Sequence, residues 1–234
     1  MAISGRSLIF SPPSIPKGRF VARLREAKSP AADEAESIYR RMVNNGFDPL
    51  IALGQFQAES GLGKGALAGH IRNWGNILFY PWTAELGALD FAADNGFHYS
   101  RFSSWTDGVR AYIRLMKSYE RKGLDTVETM AAKWLGDKPG TERTERYVGN
   151  IVQACARLGA PPQKAVATAL HAAPADAPPS YLVKPGDTLA TIAKRELGLS
   201  SRWVEIYAIP ANQTTIGRDP ATVRADQRLV MPKR

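Results

Sequence analysis

Apolar side chains recur at three- and four-residue intervals through much of the first 160 residues, a spacing that lines one face of an α-helix. Helix-capping residues stand before several of these stretches. Asp48 precedes Pro49, and Ser104 stands three positions before Asp107. The pattern predicts five helices, which begin near Asp33, Asp48, Ser104, Asp125 and Glu142, with the second ending near Glu59 and the fifth near Leu158.

Residues 60–102 interrupt this pattern between the second and third helices. Connections in compact domains are usually much shorter, and long ones often carry function. We therefore expect a compact α domain over residues 31–160, with one long irregular stretch that contributes to a site.

Residues 181–234 show a different pattern. A short apolar strand at 181–184 ends at Pro185-Gly186. One helix is expected to follow up to Gly198 and a second to begin at Ser200, and after a polar loop a last strand covers 228–232. The order strand, helix, helix, strand predicts a small α+β module.

The remaining segments are rich in proline. Residues 161–180 consist mostly of Ala and Pro and predict a linker between the two domains. Residues 1–30 hold four prolines and six basic residues against one acidic residue, which predicts a basic N-terminal arm with an extended or poorly ordered chain.

Composition narrows the function classes. The chain has 234 residues, 44% of them apolar and 23% charged, which suits a globular protein with a sizeable core. Cys155 is its single cysteine, so an intramolecular disulfide framework and a cysteine-rich zinc site are excluded. Three widely spaced histidines make a metal cluster unexpected, and neither a metal nor a cofactor is predicted.

The net charge of +9 is uneven along the chain. Residues 31–160 hold fifteen basic and fifteen acidic side chains, whereas residues 181–234 hold nine and five. Basic ends favour a polyanionic partner. Nucleic acid ranks last among such partners because the basic ends lack interleaved aromatic residues. No apolar run is long enough for a membrane span, and the first 20 residues lack the features of a secretory signal.

Glu59 carries the strongest chemical signal in the first domain. It ends an apolar predicted helix where the chain turns into Gly61 and Gly63. Partial desolvation there raises a carboxyl pKa and suits the group to donate a proton. An isolated glutamate of this kind is more simply explained as a helix-end residue held by backbone N–H groups. The Asn and aromatic residues that follow are suited to binding sugars, and they include Asn73, Trp74, Asn76, Tyr80 and Trp82.

Five segments of the first domain carry a family resemblance. GQFQAESGLG at 54–63 and NWGNI at 73–77 are followed by FSSW at 102–105, VRAY at 109–112 and RYVGNI at 146–151. In this order and spacing they resemble the bacterial endo-β-N-acetylglucosaminidases, the glycoside hydrolase family 73 of flagellar and autolysin wall hydrolases. The resemblance covers about residues 32–159. It implies a lysozyme-like α fold in which Glu59 is the general acid that cleaves a β-1,4 bond of peptidoglycan.

The resemblance also raises the matter of a second carboxylate, for which this sequence offers no secure counterpart. Glu85 is the best positional candidate, with Asp90 and Asp94 behind it, and a solvated surface role explains Glu85 equally well. Asp107 is better explained as a helix cap. The acetamido oxygen of an N-acetylated substrate also serves as a nucleophile, which removes the need for a second carboxylate. Tyr147 is a candidate for the cleft by family analogy, although its helical spacing equally suits a core residue.

The C-terminal module closely resembles the LysM family. The match includes VKPGDTL at 183–189 and ADQRL at 225–229, where the family usually has Pro-Gly in place of Ala225-Asp226. The resemblance implies binding of N-acetylglucosamine chains between two loops. Asp187 also suits a helix cap and Leu189 suits the core. The glycan-binding residues implied are Gly186, Asp187, Thr188 and Leu189 in one loop and Asn212, Gln213, Thr214, Thr215 and Ile216 in the other.

The sequence therefore predicts a peptidoglycan hydrolase with a lysozyme-like body and a LysM anchor. A muramidase or lytic transglycosylase of similar fold is the alternative among enzymes. A non-catalytic wall-binding or virion structural protein is the alternative outside them. An extracytoplasmic substrate without a predicted signal peptide indicates phage release, virion delivery beside tail proteins, or specialised export.

Overall fold

A computed structural model of the chain describes residues 2–159 and 180–232. The described part is mainly helical with two small antiparallel sheets, which confirms the expected α-rich body and α+β module at that level. The elements in chain order are α1 (Lys17–Glu26), α2 (Ala35–Asn44), α3 (Pro49–Ser60), α4 (Ala66–Ile71), α5 (Pro81–Ala84), β1 (Leu89–Ala92), β2 (His98–Arg101), α6 (Trp105–Glu120), α7 (Val127–Leu135), α8 (Glu142–Gly159), β3 (Ser180–Leu182), α9 (Leu189–Leu197), α10 (Trp203–Tyr207), α11 (Pro210–Ile216) and β4 (Arg228–Val230).

Helix α3 runs through the centre of the body, and its first eight residues are buried. It begins as predicted, with the Asp48 side chain accepting a hydrogen bond from Leu50 N at 2.9 Å and Pro49 in the first turn. It packs closely on α8: a Cβ at Gly54 would lie 2.5 Å from Cys155 Sγ, so glycine is required there. This packing fixes the helix end that carries Glu59.

The helices predicted near residues 33, 104 and 142 are confirmed as α2, α6 and α8. Ser104 caps α6 by accepting from Asp107 N at 3.0 Å. The start predicted for α7 is corrected from Asp125 to Thr126, whose hydroxyl accepts from Thr129 N at 3.2 Å. The Asp125 carboxylate is nearly buried and pairs with Lys194 of the C-terminal module instead.

The expected irregular stretch at 60–102 contains regular structure. Helices α4 and α5 lie within it, and β1 pairs with β2 as an antiparallel hairpin in which Leu89 faces Arg101. The hairpin was not predicted because β1 is mostly exposed on both faces and so lacks the alternation of apolar and polar residues by which strands are recognised.

The prediction that residues 1–30 form an extended or poorly ordered arm is wrong for the described residues 2–30. Ile9 and Phe10 are fully buried in the body core, and Asp48 N donates to Ile9 O at 3.0 Å. Helix α1 follows directly after Pro16 and buries Phe20 and Leu24. Proline-flanked apolar pairs are too short to show a helical or strand period, which is why the segment was not recognised as part of the core.

The C-terminal module pairs β3 with β4 antiparallel and packs α9, α10 and α11 beside them. Its core includes Leu189, Trp203 and Leu229. The expected polar loop after Tyr207 is corrected, because residues 210–216 form α11 with Pro210 in its first turn. The predicted linker at 161–180 lies outside the described residues except for Ser180, which belongs to β3.

The module packs against the body through buried polar contacts. The Trp203 indole N–H donates to Gly46 O at 2.9 Å. Ser200 Oγ and Ser201 N both donate to Glu120 Oε1, at 2.9 and 2.7 Å. Gly46 stands just before α3, whereas Glu59 lies in the last turn of that helix, about 16 Å further along its axis at 1.5 Å per residue.

Candidate functional site

Glu59 lies half-buried in the last turn of α3, which ends at Gly61 with a φ of 59°. Trp134 Nε1 on α7 donates to Glu59 Oε1 at 2.9 Å, and Tyr147 OH on α8 donates to the same oxygen. Side chains from two other helices therefore hold this carboxylate, in contrast to the backbone N–H groups of the simpler explanation.

Burial raises the pKa of Glu59 above its usual value, and the hydrogen bonds from Tyr147, Trp134 and Asn76 oppose that rise. Desolvation is the larger effect, so the proton is held more tightly than on an exposed glutamate. Among the causes of this shift within the described residues, none is the charge of another carboxylate.

A chain of polar side chains extends from Glu59 into the core. Gln55 Nε2 donates to Tyr147 OH at 3.3 Å, and Tyr112 OH donates to Gln55 Oε1 at 2.5 Å. Tyr112 is fully buried, and burial raises its pKa well above its ordinary value. Each link fixes the orientation of the next, so three helices position the Glu59 carboxyl.

Sequence reasoning missed Gln55, Tyr112 and Trp134 as parts of this site. A signal for Gln55 exists, because it is a polar residue on a buried helix one turn before Glu59. Trp134 is placed by a close approach that sequence does not show. A Cβ at Gly75 would lie 2.5 Å from Trp134 Cη2, so the glycine leaves room for the indole.

Tyr147 and Asn76 are the predicted substrate residues that the structure brings to Glu59. Asn76 has a φ of 52°, a left-handed conformation that asparagine adopts more readily than most residues. Its Oδ1 is buried and accepts no hydrogen bond from the described residues. The Asn76 side chain thus belongs to the site.

Asn73 and Trp74 are corrected to structural roles because both are fully buried. Asn73 Nδ2 donates to Ile77 O and to Ser100 O, each at 2.8 Å, and so ties the loop to β2. Trp74 stacks on Phe56 with ring centroids 3.7 Å apart. Neither side chain is accessible to a ligand.

Tyr80 and Trp82 lie together on the surface beside α5. Their rings are nearly parallel, with centroids 6.4 Å apart, and Tyr80 is 44% exposed. The Arg114 guanidinium lies over the Trp82 ring, 5.4 Å from its centroid. This pair forms an accessible aromatic surface, and no recorded hydrogen bond joins its side chains to the network around Glu59 in the described part of the chain.

The candidate second carboxylates lie apart from this network. The Glu85 side chain is 64% exposed and pairs with Arg114 Nη2 at 3.1 Å. Asp90 pairs with His98 on the hairpin, and Asp94 is exposed. Asp107 accepts from Ser104 Oγ at 2.7 Å, which confirms its place in the cap of α6. Within residues 2–159 and 180–232, no group of His, Cys, Asp and Glu is arranged to hold a metal ion.

In the first loop of the C-terminal module, Asp187 accepts hydrogen bonds from Lys184 N at 2.9 Å and from Tyr181 OH at 2.7 Å. Thr188 caps α9. Leu189 is fully buried, so the core explanation holds for it. Gly186 is exposed, with a φ of 84° that favours glycine.

The second implied loop is helix α11. Asn212 is fully buried and binds Ile206 O and Val230 O, each at 2.7 Å, and Ile216 is also buried. The prediction that Asn212 and Ile216 contact a sugar is therefore wrong. Gln213 and Thr214 are exposed and Thr215 is half-exposed, so the accessible members of the implied set lie on the outer face of α11.

Comparison of the chain with family models, with curated proteins and with solved structures finds no match. Among the described helices, none is both long and apolar enough to cross a membrane.

Proposed function

We propose that this protein is a glycoside hydrolase of bacterial peptidoglycan, an endo-β-N-acetylglucosaminidase in which Glu59 is the general acid. The observation that carries the proposal is the half-buried Glu59 carboxyl, whose pKa is raised by burial and which Tyr147 and Trp134 hold in place. A carboxyl whose pKa is raised holds its proton to higher pH than an exposed one, which suits it to protonate a glycosidic oxygen.

In this mechanism Glu59 gives its proton to the leaving oxygen as the bond from that oxygen to the anomeric carbon breaks. The acetamido oxygen of the same sugar forms a bond to the anomeric carbon and closes a cyclic intermediate. Water then opens this ring while the Glu59 carboxylate takes one of its protons. The route suits a site in which no second carboxylate among the described residues contributes to the pKa of Glu59.

A lytic transglycosylase or muramidase of similar fold is the alternative among enzymes. The products discriminate these activities: a new reducing N-acetylglucosamine supports the proposal, a reducing N-acetylmuramic acid indicates a muramidase, and an anhydro sugar indicates a transglycosylase. A wall-binding or virion structural protein without activity would release no soluble fragments.

The C-terminal module is proposed to bind N-acetylglucosamine chains through its exposed residues, which include Gly186, Gln213 and Thr214. A single shallow site of this kind binds weakly. Its benefit is the raised effective concentration of the body near its polymer.

The test is Glu59→Gln in the full chain, with Glu85→Gln as the matched control. Dye release from labelled peptidoglycan should fall by about 10²–10⁴ in Glu59→Gln, because the general acid is lost. Glu85→Gln should retain nearly full activity, since that side chain is exposed and pairs with Arg114. Undiminished dye release by Glu59→Gln, with both variants folded, would refute the assignment of Glu59.

A further inference from the structure

Basic residues recur on α6 at a spacing that gathers them on one face. Arg110, Arg114, Lys117 and Arg121 stand at intervals of four, three and four residues. Successive residues advance 100° around a helix, so these four side chains form one stripe. At 1.5 Å per residue the stripe is about 16 Å long. The body is neutral as a whole, and this concentration of charge is therefore a local feature.

Helix α2 closes the other side of the stripe and creates a cleft. Arg41 and Asn45 of α2 line a cavity of about 230 Å³ together with the four basic residues of α6. Leu86 and Ile113 supply its apolar part. Five cationic side chains and no carboxylate therefore line this cleft, which we call the α2–α6 cleft.

Acidic neighbours leave much of this positive charge uncompensated. Glu85 pairs with Arg114, and Asp107 lies 3.8 Å from Arg110. Glu120 accepts hydrogen bonds from the C-terminal module and also attracts Lys117. The charge of Arg41 helps to lower the pKa of Asp107. In the described part of the chain, Arg41, Lys117 and Arg121 take part in no ion pair; Lys117 Nζ donates instead to Asn45 Oδ1 at 3.0 Å.

Two buried donors in the cleft are free to bind an acceptor. The Nε atoms of Arg41 and Arg110 are buried, and neither has a hydrogen-bond partner among the described residues. A buried donor without a partner costs about 1–3 kcal/mol, and more in a charged group. Burial also lowers the pKa of Lys117. Arg110 already donates through Nη2 to Leu86 O, and an anion in the cleft would give the two Nε donors an acceptor as well.

Guanidinium groups fit phosphate oxygens with two parallel hydrogen bonds, and arginine is the side chain most suited to such bidentate phosphate recognition. The cavity has room for one phosphate group with a small substituent, while the stripe continues to the exposed Arg121. A chain of several phosphates matches this length better than one ion does. We propose that the α2–α6 cleft binds the phosphate groups of a linear, flexible polyanion.

Binding is tested with the full chain and a short linear polyphosphate by isothermal titration calorimetry, with inorganic phosphate as the comparison for a single ion. Polyphosphate should bind at 0.1 M salt and inorganic phosphate much more weakly. Arg41→Gln/Lys117→Gln should weaken polyphosphate binding by about tenfold or more, because two charge-assisted contacts are lost. The proposal does not depend on the activity of Glu59, since the measurement is of binding.

Arg121→Glu is the variant least able to disturb folding because that side chain is exposed. Its matched control is Arg143→Glu, which makes the same change of charge at an exposed position of α8. The proposal expects a loss of about tenfold in Arg121→Glu and less than about twofold in Arg143→Glu. Equal losses in the two variants would show general charge attraction and overturn it.

Binding measurements with two other phosphate-bearing ligands, lipid vesicles and duplex DNA, distinguish the alternatives. Binding to phosphatidylglycerol vesicles without binding to polyphosphate would assign the cleft to a lipid surface and overturn the proposal. Tighter binding to duplex DNA than to polyphosphate, abolished by Arg121→Glu, would assign it to nucleic acid and would likewise overturn it. Failure of the wild-type chain to bind polyphosphate would also refute the site.

Discussion

Glu59 is a charged group placed where burial disfavours its charge. Its raised pKa means that the folded state binds the proton more tightly than the unfolded state does. The contribution of Glu59 to the free energy of unfolding is therefore most favourable below its unfolded pKa, and it declines as pH rises through its folded pKa. Such a cost to stability is common at sites that carry chemistry.

Glu59→Gln tests this linkage. Glutamine keeps an oxygen that accepts from Trp134 and Tyr147 but carries no charge. The variant should have a higher free energy of unfolding than wild type at pH 7, and the advantage should shrink as pH falls from the raised folded pKa of Glu59 towards its unfolded pKa of about 4.3, below which it should be absent. Urea denaturation from pH 3 to pH 8 measures it. An advantage that stays constant with pH would contradict the raised pKa.

Tyr147→Phe removes a donor to the Glu59 carboxylate. That hydrogen bond favours the charged form, so its loss should raise the pKa of Glu59 further. If Glu59 is the general acid, the alkaline limb of the pH–rate profile should move to higher pH. Tyr39→Phe is the control, because Tyr39 OH donates to Ile15 O and not to Glu59. An alkaline limb that moves equally in both variants, or in neither, would contradict the role of Tyr147.

At this scale the sequence singled out Glu59 and Tyr147, which the structure joins by a hydrogen bond. Both stand in segments chosen for their resemblance to a family, at 54–63 and 146–151. Asn73 and Trp74 could not be assigned correctly, since an amide or an indole that binds sugar and one that satisfies a buried backbone look alike in sequence. The two roles are distinguished only by the structure, in which the loop at 73–77 packs against α3.

At the scale of elements, α3 depends on its first turn. The Asp48 carboxylate accepts from Leu50 N at 2.9 Å and from Ser14 N at 3.0 Å, which joins the N-terminal segment to the helix. Burial raises the pKa of Asp48 to about 6. Its contribution to stability therefore decreases as pH rises from its ordinary value towards 6 and above.

The variants Asp48→Asn and Asp48→Ala distinguish two contributions of Asp48 to the free energy of unfolding, its hydrogen-bond acceptor and its charge. Alanine should lower the free energy of unfolding at pH 7 by about 1–2 kcal/mol, because both backbone donors lose their acceptor. Asparagine keeps an acceptor and should be closer to wild type, with a weaker dependence on pH between 4 and 7. Equal losses in the two variants, measured by urea denaturation, would show that the oxygen acceptor is not what stabilises this end of α3.

The elements missed by sequence analysis have physical reasons in common. Helix α1 follows proline-rich positions and buries only Phe20, Val21 and Leu24, too few residues to mark a helix by themselves. The β1–β2 hairpin exposes Leu89 and Phe97 and so lacks the alternation of a strand. The long helices α2, α3, α6 and α8 were predicted because each buries a continuous face or carries a capping signal. The spacing of apolar residues does not predict an element that is formed mainly by tertiary contacts.

At the scale of the whole molecule, α3 separates the contact with the C-terminal module from Glu59. The C-terminal module contacts the body at Gly46, beside the beginning of α3, and Glu59 stands at the other end of that helix. The contacts that the module makes with Gly46 and Glu120 therefore do not involve the surroundings of Glu59.

Gly46→Ala should open the interface between module and body. Gly46 has a φ of 76°, and a Cβ there would lie 2.6 Å from Ser201 O, so alanine must displace the module backbone. We expect the radius of gyration to increase in small-angle X-ray scattering. The hydrogen bond from Trp203 to Gly46 O should be lost at the same time, with a shift of the Trp203 indole resonance.

Gly87→Ala separates this effect from backbone strain. Gly87 has a φ of 83° but no atom within 4 Å of an added Cβ, so it incurs the same strain of about 1–2 kcal/mol without a clash. Both variants should therefore lose similar stability from the backbone, whereas the radius of gyration should increase in Gly46→Ala and stay at the wild-type value in Gly87→Ala. An unchanged radius of gyration in Gly46→Ala would show that the position of the module does not depend on close approach at Gly46. The hydrogen bonds from Ser200 and Ser201 to Glu120 would then be the next contacts to remove.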